Sequence, residues 1–67
     1  MNTLGEKLKI ERRKRNLTQD DIAKMLDINR VTYYGYETDK HEPNLKILCK
    51  LAEIFQVSTD YLLGRYA

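Results

Sequence analysis

Tryptophan is absent from this 67-residue chain, and cysteine, proline, histidine and phenylalanine each occur once. A single cysteine, Cys49, cannot form an internal disulfide. That excludes a stapled secreted miniprotein and fits a reducing compartment, so a cytoplasmic location is expected. One His and one Cys are too few for a structural zinc site of the usual kind. No apolar run approaches the roughly 18 to 20 residues of a membrane span, and the start Met-Asn-Thr-Leu-Gly-Glu-Lys lacks the apolar stretch of a signal peptide. A soluble chain with no membrane partner is expected. Three Gly and one Pro among 42% apolar and 33% charged residues exclude a disordered or low-complexity chain. A chain of this length makes a single domain, residues 1–67, that buries about 60% of its unfolded surface.

The formal net charge of +2 hides an uneven distribution. Residues 1–35 carry Lys7, Lys9, Arg12, Arg13, Lys14, Arg15, Lys24 and Arg30 against Glu6, Glu11, Asp20, Asp21 and Asp27. The second half is close to balanced. A basic half suggests a polyanionic partner such as nucleic acid. The run Arg12-Arg13-Lys14-Arg15 equally suits the last turn of a helix, where cations complement the macrodipole, and on charge alone that plainer reading is the stronger.

Capping signals divide the chain into five short helices with no strand pattern. Thr3 with Glu6 is a capping box and Asn16 a stop, giving helix one at about 4 to 15. Thr18 with Asp21 is a weaker box that opens helix two, about 19 to 26. Asn29 caps a third helix reaching about Thr38, Asn44 after Pro43 caps a fourth at about 45 to 55, and Ser58 caps a short fifth that Gly64 ends. Only Asp27-Ile28-Asn29 separates helices two and three, and so tight a join forces a large angle, the helix-turn-helix unit. Ile22, Ala23 and Leu26 share one side of helix two, and the smallness of Ala23 suits a close crossing.

Helix three puts Tyr33 and Tyr36 on one face and Arg30, Val31, Tyr34 and Gly35 on the other. Val31-Thr32-Tyr33-Tyr34 has strand propensity, but no partner strand exists. In helix four, Leu45, Leu48, Leu51, Ala52 and Phe55 form the expected core face, with Ile47 and Ile54 as a side stripe covered by Ile10 or helix five, or left exposed for self-association. Leu4, Leu8 and Arg12 follow an i, i+4 row into a cation at the core edge, and Glu37 is its expected partner.

The run Leu4 to Leu8 and Arg12, then Asn16-Leu17-Thr18-Gln19-Asp20-Asp21-Ile22-Ala23, Tyr36-Glu37, Pro43-Asn44-Leu45, Leu51-Ala52 and Val57 to Gly64 resembles the phage-repressor and Cro-type (XRE) helix-turn-helix family. The likeness covers residues 4–64. It implies an all-α, compact five-helix, lambda-repressor-like DNA-binding domain in which helix three enters the major groove and Gln19 helps fix a phosphate. By position, the family's base-reading residues fall on Asn29, Arg30, Val31 and Gly35, with Thr32 and Tyr34 at the margin. The family's frequent Arg and Glu pair is present as Arg12 and Glu37. Three departures stand out: Asp27 replaces the usual turn Gly, Thr38-Asp39 occupies a stretch where Gly is common, and Gly35 fills a slot commonly polar or basic.

The function expected is a sequence-specific transcriptional regulator of double-stranded DNA, a repressor bound as a homodimer to an inverted-repeat operator. Arg30 matches guanine O6 and N7, and the Asn29 amide suits adenine. Lys40, His41, Asn44 and the start of helix four would hold phosphates. A protein-interaction module or antitoxin-type partner is the alternative use of the same fold. A lone His41 beside Glu42 with no nucleophile nearby is poor material for acid-base catalysis, so no enzyme and no cofactor is expected.

Overall fold

The computed structural model describes residues 2–65; Met1, Tyr66 and Ala67 of the expected domain lie outside the described residues. Five helices follow one another: α1 (Leu4–Lys14), α2 (Gln19–Leu26), α3 (Arg30–Glu37), α4 (Leu45–Phe55) and α5 (Thr59–Leu63). Each begins where a short polar side chain satisfies an otherwise orphaned amide. Thr3 Oγ1 accepts from Glu6 N at 3.1 Å while Glu6 Oε1 accepts from Thr3 N at 2.8 Å. Thr18 and Asp21 form the same reciprocal box at 3.0 and 2.8 Å. Three helices end on a left-handed residue, Asp27, Gln56 and Gly64. At Asp27 the backbone φ of 57° lets Ile28 N reach back to Ala23 O at 3.0 Å, closing the turn that throws α3 across α2.

Leu8, Ile22, Leu26, Tyr33, Leu51, Phe55 and Leu62 are fully buried, so every helix sends at least one side chain to a common core. Tyr33 and Tyr36 meet edge to face, their centroids 6.3 Å apart. This burial overrides the strand propensity of Val31 to Tyr34. Ala23 is buried, and α2 and α3 pack against each other. Leu45 departs from expectation: it is 80% exposed. It is the first residue of α4, and helical side chains lean toward the N-terminus, so its side chain points past the end of the core. Ile47 and Ile54 are half-buried against the core, whereas Ile10 is exposed.

The start of α1 and the end of α3 approach to backbone contact. A Cβ on Gly5 would stand 2.4 Å from Glu37 O and 2.6 Å from Tyr36 O. Gly5→Ala should therefore cost about 1 to 3 kcal/mol, because rigid carbonyls and not a movable side chain must give way. Thermal melting reads this as a fall of roughly 5 to 20 °C for a domain this small. An unchanged melting temperature would mean that α1 can withdraw from α3 at no cost.

Candidate nucleic-acid interface

The inner face of α3 is locked by Tyr33, Tyr36 and Glu37, which leaves Arg30, Val31, Thr32 and Tyr34 exposed on its other sides. Val31 is 68% and Tyr34 45% exposed, although neither is polar enough to favour that position in an isolated surface helix. Asn29 is the N-cap of α3, its Oδ1 accepting from Val31 N at 2.7 Å. A bidentate pairing of Asn29 with adenine would need that oxygen, so only its amide donors are free of the cap.

Gly35 requires a correction. Its place on the helical wheel suggested an outward, readable surface, but the residue is buried. The reason is a loop that sequence spacing does not reveal: the backbone amides of Lys40 and His41 both donate to Gly35 O, at 3.0 and 3.3 Å, and the His41 ring lies over the glycine. Gly35→Ala should leave stability unchanged or raise it by up to about 1 kcal/mol, because the atom in its way belongs to a movable ring and Ala favours the helix. Chemical denaturation measures this, and a clear loss would show that the ring cannot move.

Gln19, at the first position of α2, is half-buried, and its Nε2 donates to Glu37 Oε1 at 3.1 Å. Glu37 is held in turn by Arg12, whose Nε and Nη2 donate to its two carboxylate oxygens at 2.7 and 3.1 Å. The expected Arg12 and Glu37 pair is thus formed as a two-point contact, and it orients the Gln19 amide. Burial alone would raise the Glu37 carboxyl, but the hydrogen bonds from Arg12 and Gln19 outweigh it and hold the group below its ordinary value. Arg12 Nη1 also donates to Leu17 O at 2.9 Å, tying the turn before α2 to the same cation.

Lys40, His41 and Asn44 are exposed along the connection from α3 to α4. Asn44 caps α4 through Ile47 N at 2.8 Å, which commits its Oδ1 but leaves its amide donors beside the positive end of that helix. The structure therefore ties Gln19, Lys40 and His41 to α3 through Glu37 and Gly35, while Asn44 stands further along at the start of α4.

A second polar cluster escaped sequence reasoning. Glu11 is 3% exposed, receives the Tyr61 hydroxyl at 2.9 Å and binds Arg15 Nη1 at 3.0 Å. Lys7 Nζ donates to Tyr61 O at 3.0 Å, and Arg15 reaches Phe55 O, so side chains of α1 and its C-cap bind α5 and the end of α4. Lys7 and Glu11 are four apart and look like an ordinary surface pair; their partners lie some fifty residues on, and no local signal announces them.

The similarity to known proteins follows the same elements. The chain is 41% identical to the HTH-type transcriptional regulator ImmR of Bacillus subtilis over 63 residues, covering 94% of this chain and 50% of that protein. It is 43% identical to an uncharacterized HTH-type transcriptional regulator of Methanocaldococcus jannaschii, covering 85% of this chain and 86% of that one. The chain spans about half the length of the Bacillus subtilis relatives it matches. Among solved structures, the c2 repressor of Salmonella phage P22, crystallised with a synthetic operator, matches with a TM-score of 0.89 at 32% identity over 94% of this chain and 96% of that one. The five helices have the phage-repressor arrangement, and the Helix-turn-helix family matches residues 8–62, from the middle of α1 through the capped α2 and α3 pair into α5; the chain belongs to that family.

Proposed function

We propose that this chain is a sequence-specific double-stranded DNA-binding domain of a transcriptional regulator, a repressor, whose helix α3 reads the major groove. The observation that carries the reading is the division of α3, with one face locked into the core and the other presenting Arg30, Val31, Thr32 and Tyr34 to solvent. The likeness to a repressor crystallised on its operator supports the same use of the surface. Arg30, at the first turn, supplies a two-point donor for guanine, and exposed Val31 supplies an apolar contact for a thymine methyl. Asn29, Thr32 and Tyr34 flank them. Gln19, Lys40 and Asn44 would meet the sugar-phosphate backbone beside that face, and such contacts set register without carrying sequence.

One module of this size meets few base pairs, so the reading includes a homodimer on an inverted-repeat operator, with half-sites about 34 Å apart. Residues 1–67 serve as a single domain acting in the cytoplasm, where the free, exposed Cys49 stays reduced. No catalytic step or cofactor is assigned to it. Selection of bound duplexes from a random pool, read by sequencing, tests the proposal. Recovery of one sequence with inverted symmetry is the expected result. Recovery of none, with the protein folded, would move the surface to a protein partner.

A further inference from the structure

Gly35 contributes no side chain to the outer face of α3, and another residue fills its place. Val31 and Gly35 are four apart and so occupy one row of that face. A Cβ on Gly35 would stand 2.6 Å from His41 Cδ2, 3.5 Å from Cγ and 3.6 Å from Nε2. The imidazole thus fills the volume into which a side chain at position 35 would grow. The loop holds it there. Lys40 N, His41 N and Thr38 Oγ1 all donate to Gly35 O. Asp39 takes a left-handed φ of 61° that folds the chain back, and its carboxylate accepts from Thr3 Oγ1 at 2.6 Å and Gly5 N at 3.0 Å. The loop is thus fastened on both sides of the turn, and His41 remains exposed.

We infer that His41 is a specificity-determining residue, its imidazole standing in for the missing side chain at position 35 and making a hydrogen bond to a base edge beside the one met by Val31. The inference rests on the reading that α3 enters the major groove. A neutral imidazole has one N–H donor and one acceptor nitrogen. Purine N7 and guanine O6 can accept from it, and cytosine N4 or adenine N6 can donate to it. Lys40, its neighbour, offers donors only, which suits a phosphate.

The test uses the whole chain, its His41→Ala and Gly35→Ala variants, and the duplex selected from a random pool together with every single-base change in it. Affinities are measured at several salt concentrations. His41→Ala should reduce discrimination at one base-pair position of each half-site by about 5- to 30-fold, with the salt slope unchanged. Gly35→Ala keeps the imidazole but displaces it, and should alter discrimination at that same position. If His41→Ala keeps the preference everywhere, or weakens all duplexes alike with a shallower salt slope, His41 does not read a base. Gly35→Ala leaving the His41 position untouched overturns the stand-in geometry. Failure of the unmodified chain to select any sequence overturns the DNA reading on which the inference rests.

Discussion

Glu37→Ala should destabilise the domain by about 3 to 5 kcal/mol, since it leaves the Arg12 guanidinium largely buried with no counter-charge. The Arg12 and Glu37 side chains are 11% and 2% exposed, so little solvent is available to replace the lost partner. Domains generally hold about 0.05 to 0.15 kcal/mol per residue, so this loss would remove much of the stability of a chain this short. Arg12→Ala should be comparably harmful, because it also frees Leu17 O from its donor. Removing both charges should cost less than the sum of the two single changes, with a coupling of roughly 0.5 to 3 kcal/mol from a double-mutant cycle. Strict additivity would mean that the two groups do not act together.

The pair also sets a pH dependence. The Glu37 carboxyl lies below its ordinary value of 4.5, so its stabilisation is fully present above that value and is lost as pH falls through the lower folded-state value. Glu11 adds to the same trend: burial would raise it, but hydrogen bonds from Tyr61, Arg15 and Lys14 hold it down. Acid titration of the melting temperature should therefore fall most steeply below about pH 4.5. Glu37→Gln should flatten the part of that fall that Glu37 contributes.

Most features legible in the sequence are those whose cause is local. Thr3, Thr18, Asn29, Asn44 and Ser58 cap the helices because a short polar side chain must meet the first free amides, whatever the rest of the chain does. Arg12 and Glu37 were legible because an i, i+4 apolar row ending in a cation leaves few choices of partner. Asp39 was not. It looked like a misfit where glycine is common, yet its carboxylate holds the start of α1 across 34 to 36 residues of chain, which gives the strained backbone a compensating role. Gly35 and Leu45 were misplaced for one reason: helical periodicity assigns a face but not the end of the element or the loop that folds over it. The outer face of α3 could therefore be drawn from spacing, but its covering by His41 could not.

Arg30→Ala should separate reading from holding on that face. A two-point contact to guanine is worth about 1 to 3 kcal/mol of discrimination, so in the proposed two-fold dimer, which would make it twice, the preferred operator should lose about 2 to 6 kcal/mol. That is roughly 30-fold to over 10,000-fold in affinity. The preference at one base pair of each half-site should relax at the same time. Lys40→Ala should act differently, weakening all duplexes alike and lowering the slope of log K against log salt by about one for each half of the dimer. The contrast arises because a base contact is lost only where its base is present, whereas a phosphate is present in every sequence. Affinities for the matched site, a single-base variant and random DNA, each at several salt concentrations, distinguish the two. If Arg30→Ala weakens all three DNAs equally and reduces the salt slope, Arg30 clamps a phosphate. Sequence reading would then pass to Val31, Tyr34 and the amide donors of Asn29, the groups that the N-cap of α3 leaves free.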